Sequence, residues 1–191
     1  MKVPEKIKRE VSELRRQIEH ELARRNIVDQ QIRDIENERA RLIRSSPAEN
    51  VEKVRQLSAL RGIGANSAWL YVMEIFGWRK IRNRRQLGSL AGLTPTPHDS
   101  GAMRREQGIS KAGNARVRQR LIELAWLWLR IQPRSDTTLW FQRRYGQASR
   151  RMRRVGIVGV ARKLLIELWR FVEHGVLPPG AQLKPLTSPS R

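Results

Sequence analysis

An all-α fold is predicted by three features of this 191-residue sequence. Apolar residues recur three and four positions apart along most of it, alternating strand patterns are nearly absent, and Pro, Gly and Ser-Pro groups punctuate the periodic runs. The predicted architecture is a long coiled-coil helix over residues 1–46, a helical domain with a helix-hairpin-helix-like turn over 47–177, and a disordered tail over 178–191.

The first helix rests on Ile7, Val11, Leu14, Ile18, Leu22, Val28, Ile32, Ile35 and Leu42, most of them three, four or seven apart, the spacing of one helix face. Pro4 suits a first turn, and Ser45-Ser46-Pro47 ends the run. Glu21, Arg25 and Arg39 interrupt a strict seam of apolar residues, so the heptad is imperfect. A helix of about 40 residues is about 60 Å long. With so narrow an apolar stripe it needs a partner, and self-association through residues 7–42 is expected ahead of packing on another domain.

A second helix is expected from Ala48 to about Ala59, with Val51, Val54 and Leu57 on one face. Leu60-Arg61-Gly62-Ile63-Gly64 then forms a turn, and Ala68, Trp69, Val72, Met73 and Phe76 make a third helix that stops at Gly77. Arg79–Arg85 reads as a basic loop and Gln86–Ala91 as a short helix stopped at Gly92. Two prolines and a glycine in residues 94–101 exclude regular helix and central strand there. Further helices are predicted over Asn114–Ile131, Leu139 to about Arg153, and Val158–Glu173, the last closed by His174-Gly175. LPPGAQLKPLTSPSR has the composition of a disordered tail.

Charge narrows the function. There are 39 Lys+Arg against 18 Asp+Glu, a net +21, and 31 of the 39 are arginine. Such an excess disfavours most small-molecule enzymes and points to a polyanion, whose phosphates the guanidinium fork fits well. Residues 1–57 hold 14 basic and 11 acidic side chains, net +3, and residues 58–191 hold 25 and 7, net +18. The first helix is thus nearly balanced, and the nucleic-acid contacts belong to residues 58–191.

With no cysteine there is neither a disulfide nor a thiolate metal site, and His20, His98 and His174 lie too far apart in sequence to suggest zinc. No apolar run approaches the roughly 18 residues of a membrane span, and MKVPEKIKRE has no apolar stretch behind its basic start. A cytoplasmic, nucleoid-associated protein with no membrane partner is expected.

The turn at residues 60–64 matches the pattern apolar-x-Gly-apolar-Gly. Gly62 and Gly64 permit a tight reversal whose amides hold a phosphate oxygen without reading sequence, with Arg61, Arg82, Arg84 and Arg85 adding salt-dependent contacts. The plain alternative is an ordinary helix–helix turn. Trp69, Trp126, Trp128, Trp140 and Trp169 fall in apolar helical patterns and read as core before base-stacking surface. The stretch Arg143–Arg154 has six arginines and no acid, which favours phosphate contact over a merely solvated face. Ser110 and Asn114 read as helix-start residues.

The ordered series RGIG, LAGLTP, SG, GISKAGN and R-x-R-x-x-L, from about Ser58 to Leu129, resembles the C-terminal transposase domain of insertion-sequence transposases of the IS one-ten / IS eleven-eleven type. That resemblance implies an enzyme that cuts and rejoins DNA with a serine, guided by a structured RNA, alongside a RuvC-like nuclease domain whose acidic residues hold divalent metal. Carried over, the serine is Ser100. Its hydroxyl needs activation and charge stabilisation, for which Arg104, Arg105 and Lys111 lie close in sequence, with Arg116 on the following helix and His98 or Asp99 as candidate orienting groups. Asp-Ser-Gly is also common turn chemistry.

No RuvC-like half precedes this domain in the sequence, so a fragment, a decayed element or half of a split enzyme is expected. No cofactor is assigned to this chain, the divalent metal being expected only in the missing nuclease domain. Whether the chain alone is an enzyme stays open. The alternative is an inactive remnant acting as a nucleic-acid-binding dimerisation module; a ribosome- or nucleoid-associated structural protein accounts for the charge but not for the five motifs.

Overall fold

The computed structural model describes the backbone of residues 4–100 and 103–185, with side chains except those of Lys8 and residues 96–107. It is built almost wholly from helices and divides into two units, residues 1–46 and 47–191. Among the described residues no helix is long and apolar enough to cross a membrane.

The first unit is the helix α1 (Glu5–Ser45). Pro4 precedes it as N-cap, and the Ser46 amide closes it on the Leu42 carbonyl at 2.9 Å. Its outer face is laced by short-range pairs: Arg24–Glu21 at 2.8 Å, Arg25–Asp29 at 3.5 Å and Gln30–Asp34 at 2.9 Å. Such exposed pairs add only about 0.3–0.5 kcal/mol each. The apolar stripe from Ile7 to Ile35 is about half exposed along its whole length.

The second unit contains α2 (Glu49–Ser58), α3 (Ala65–Tyr71), a π-helical segment (Val72–Phe76), α4 (Arg84–Leu90), strands β1 (Pro95–Ser100) and β2 (Met103–Ile109), α5 (Ala115–Ile131), α6 (Asp136–Tyr145) and α7 (Arg150–His174). At its centre α7 buries Ile157, Val160, Leu164, Leu165 and Leu168 against α5, which contributes Val117, Leu121, Leu124 and Trp128. Leu57, Tyr71 and Phe76 are among the fully buried side chains added from the α2–α3 side. Burying Trp128 leaves no polar group stranded, because its indole N–H donates to Ser135 Oγ at 2.8 Å. Ser135 in turn caps α6 by accepting from the Thr138 amide. At Gly156 a Cβ would lie 2.7 Å from the Tyr145 ring, so its absence lets α6 and α7 close on each other.

Several local expectations change. Residues 139–153 are not one helix: α6 ends at Tyr145, and α7 starts at Arg150 behind Ser149, whose hydroxyl accepts from the Met152 amide. The arginines of residues 143–154 therefore flank a corner between two helices. The basic loop 79–85 ends early, since Asn83 accepts from the amides of Arg85 and Gln86 and places Arg84 and Arg85 in the first turn of α4. The third helix passes into a π-helical segment before Gly77. Asn114 caps α5, accepting from the Val117 amide, whereas Ser110 pairs with Thr94 at the end of β2. Trp128 is buried but Trp126 is 46% exposed.

Pro95–Ser100 and Met103–Ile109 form a two-stranded antiparallel ladder with a register shift between Pro95 and Pro97. A two-stranded ladder consists only of edges, where prolines are tolerated, so neither central strand nor helix was needed. Of the tail expected to be disordered, residues 178–185 are held in place. Leu183 bridges Leu60, the Lys184 amide donates to the Ala59 carbonyl at 2.7 Å, and the Asp136 amide to the Pro179 carbonyl at 3.0 Å. Residues 186–191 lie outside the described residues.

Glu167 on α7 accepts a hydrogen bond from Thr137 Oγ1 at 2.6 Å. Burial raises its carboxyl above the ordinary value of 4.5, an effect that the Thr137 bond and Lys163 oppose. A raised pKa means that the folded state holds the proton more tightly than the unfolded chain. This residue's contribution is therefore most favourable below pH 4.5 and is lost as pH rises through the folded value. Glu167→Gln keeps an acceptor for Thr137 and removes the buried charge. Thermal denaturation from about pH 4 to 8 should show the variant gaining on the native protein as pH rises, and being at least as stable at neutrality.

Candidate nucleic-acid interface

The turn between α2 and α3 is fixed from three directions. Leu60 and Ile63 are buried, while Arg61 and Gly64 face solvent. Gly62 has φ +94°, a conformation side-chain-bearing residues rarely adopt, and it lies beside Ile131 at the end of α5. Gly64 is the N-cap of α3, with open space around it. Gln132 is 1% exposed, and its amide nitrogen donates to the carbonyls of both Arg61 and Gln182, each at 2.9 Å. Its oxygen accepts from the Gln182 amide at 2.9 Å. One buried amide thus joins the turn, the α5–α6 connection and the chain after α7.

That junction creates a shallow cleft lined by Arg61, Arg130, Arg134 and Lys184, with no carboxylate in its lining. Arg61 is anchored on Gln182, and Lys184 Nζ donates to the Ile63 carbonyl at 2.8 Å. The sequence pointed to Arg61 and its glycines but not to the other three cations, which lie 69 to 123 residues further along. A surface of cations without nearby acids holds phosphate oxygens by charge and loses that grip as salt rises.

The second cluster lies at the other end of α5, about 25 Å away along its 17 residues. There the segments LAG and KAGN meet backbone to backbone. The Asn114 amide donates to the Leu90 carbonyl at 2.8 Å, and the Lys111 amide to that of Gly92 at 3.2 Å. A Cβ on Gly113 would stand 2.2 Å from the Leu90 oxygen and 2.4 Å from the Gly92 nitrogen. Gly92 itself has φ +64°. The Arg118 guanidinium spans the contact, donating to the carbonyls of Ala91, Lys111 and Gly113 at 3.1–3.4 Å. The Asn114 side-chain amide donates to Glu74 at 2.8 Å.

From this locked base rises the β1–β2 ladder. Its feet are tied by the Ser110 amide on the Thr94 carbonyl at 2.8 Å. Ser100 pairs with Met103, Asp99 with Arg104 and His98 with Arg105. At about 3.3 Å per residue, Ser100 stands about 17 Å along β1 from Pro95. The backbone therefore gathers Ser100, Arg104 and Arg105 at one end of a single ladder; their side chains lie outside those described. Lys111, with φ 55°, and Arg116, in the first turn of α5, are exposed near the foot.

Arg82, Arg84 and Arg85 form a third exposed group, at the start of α4. The far end of this seven-residue helix is the LAG segment, about 10 Å away. The second and third groups thus share one helix, while the Arg61 turn stands apart. Next to the third group is Trp78, 65% exposed, which the periodic pattern did not single out. Its signal in the sequence is position: it follows the helix-ending Gly77 and belongs to no apolar period.

Comparison with known proteins bears on all three groups. Residues 54–139 match the family model described as "Transposase IS116/IS110/IS902 family". The chain is 40% identical over 179 residues to "Putative transposase y4rJ" of Sinorhizobium fredii (strain NBRC 101917 / NGR234), an alignment covering 90% of this chain and 45% of that protein. It is 26% identical over 150 residues to "Transposase for insertion sequence element IS1328" of Yersinia enterocolitica, covering 78% of this chain and 42% of the relative. The chain therefore spans less than half the length of these relatives.

The two clusters differ in tolerance to a methyl group. Gly113→Ala forces the LAG and KAGN backbones apart and should cost about 3 kcal/mol in denaturant unfolding. Gly64→Ala, at φ −88° with nothing within 4 Å, should cost less than about 1 kcal/mol. Equal losses at the two positions would contradict the close-approach account.

Proposed function

The chain carries the transposase domain of the IS116/IS110/IS902 family in residues 54–139, and from that premise we propose that it is the DNA-handling part of a transposase, with Ser100 as nucleophile on a DNA phosphodiester. The observation that supports this most is the ladder on its glycine-locked base, which groups the backbone of Ser100, Arg104 and Arg105 at one end. In the step, the Ser100 oxygen bonds to phosphorus as its proton leaves to a base, His98 or Asp99 being the adjacent candidates. The bond to the departing strand's oxygen breaks, and that oxygen takes up a proton. Arginines beside the phosphorane offset its added negative charge.

Divalent metal belongs to a separate nuclease domain in this proposal. No step in this proposal runs through a metal ion. The turn at Gly62 and Gly64, with the Arg61 cleft, holds phosphates away from the reacting bond. A structured guide RNA is the second nucleic-acid partner, for which the arginine corner of residues 143–154 offers further charge. The half-exposed stripe of α1 pairs with a second copy through residues 7–42.

One further reading has its own support. A net +18 over residues 58–191 suffices for a module that binds nucleic acid and dimerises without doing chemistry. The two readings part at Ser100→Ala, assayed with the nuclease domain supplied. Loss of recombination and of the covalent protein–DNA adduct, with DNA affinity kept within about twofold, is expected. An adduct that survives Ser100→Ala rules the nucleophile out, and its absence from the native protein favours the module.

Cleft binding has a separate readout. Arg130→Ala with Arg134→Ala removes two exposed cations. The slope of log affinity against log salt should shrink by about 1.8 for duplex DNA, and an unchanged slope removes the cleft from the interface.

A further inference from the structure

Trp78 is the most exposed large apolar side chain among the described residues, at 65%, yet its ring is held firmly. In an α-helix the Gly77 amide would bond the carbonyl four residues back, that of Met73. In the π-helical segment it bonds Val72 instead, at 2.7 Å. The Met73 carbonyl is thereby free to accept from the Trp78 indole N–H, at 2.9 Å. Gly77 makes this exit possible, since a Cβ there would stand 2.9 Å from the Val72 oxygen and 3.1 Å from the Asn50 side chain. Phe76 points into the core, and two residues later Trp78 points out.

The chain segment that carries Trp78 has a single sign of charge, and the two carboxylates near its start, Glu49 and Glu173, are paired with Lys53 where it donates to the Phe76 carbonyl. Arg79 lays its guanidinium carbon 4.0 Å from the centre of the indole. Between Glu74 and Asp99 the chain has five cations, Arg79, Lys80, Arg82, Arg84 and Arg85, and no carboxylate. All five are exposed, and Glu74 is already engaged by Asn114. The Asn83 cap, together with the Arg82 amide on Gln86 Oε1 at 3.0 Å, fixes the backbone that presents them.

We propose that Trp78 is a stacking platform for an unpaired nucleobase whose strand is held through its phosphates by the cations of residues 79–85. A flat aromatic face beside fixed positive charge matches the two features common to every single-stranded nucleic acid, a π-face and a phosphodiester. A duplex hides its base faces in the stack, so it meets the cations but not the indole. The platform rests on the reading that this domain handles nucleic acid, and adds that part of what it holds is unpaired. The cations Arg84 and Arg85 open α4, whose other end runs into the LAG segment below the Ser100 ladder.

Fluorescence anisotropy with labelled oligothymidylate, oligouridylate and a mixed-sequence DNA duplex tests this. Trp78→Ala should weaken the single strands about tenfold and leave the duplex within about twofold, while Trp78→Phe retains most of the single-strand affinity. Weakening of both single strands, or of only one, supports the platform, the latter naming DNA or RNA as its source. Arg82→Ala with Arg84→Ala and Arg85→Ala should weaken all three probes and flatten the salt dependence. Equal effects of Trp78→Ala on single strand and duplex, or none on either, overturn the platform while leaving nucleic-acid binding standing. A native protein that binds none of the probes overturns both.

Discussion

Two glycines that let the backbone meet itself carry the rest of the candidate site. Gly113 lies so close to Leu90 and Gly92 that no side-chain carbon fits between them. Two kinds of bond cross the contact, main-chain hydrogen bonds from Lys111 and Asn114 and the Arg118 guanidinium over three carbonyls, and the Asn114 side-chain amide ties the same place to Glu74. An antiparallel pair of strands is marginal by itself in water. The feet of the β1–β2 ladder are tied beside this contact by the Ser110 amide on the Thr94 carbonyl. The motif residues LAG and KAGN thus serve geometry.

The same economy of contact appears at the other end of α5, with a different device. A buried glutamine, satisfied through both its nitrogen and its oxygen, ties together segments 50 and 71 residues apart. Leaving a polar group unsatisfied at such a place would cost about 1–3 kcal/mol, so the network favours one arrangement of the three strands of chain. The cationic cleft is a product of that arrangement. Arg61, Arg130, Arg134 and Lys184 repel one another, and the apolar core of α5 and α7 holds them together. Any anion placed among them would relieve that repulsion.

The two units obey different rules. Residues 47–191 bury their own apolar face, whereas α1 keeps a regular stripe at about half exposure. The 41-residue helix carries nearly balanced charge along its surface. The alignments to two relatives cover less than half of each relative's length.

Local chemistry was legible in the sequence wherever a few neighbouring residues decided the outcome. The period of α1, the faces of α2 and α5, the Asn114 cap, and the stops at Gly77, Gly92 and Gly175 come from spacing and cap chemistry alone. The order of the motifs likewise identified the family before any coordinates. Tertiary structure decided the rest. The corner at residues 146–149, the ladder of β1 and β2, the docking of residues 178–185 and the cleft each depend on contacts between segments far apart in the chain. So does the outward turn of Trp78, set by a π-helical hydrogen bond and by Asn50 across from Gly77. A periodic pattern records which face of an element is apolar, but not which distant backbone will come close enough to exclude a Cβ or share an amide.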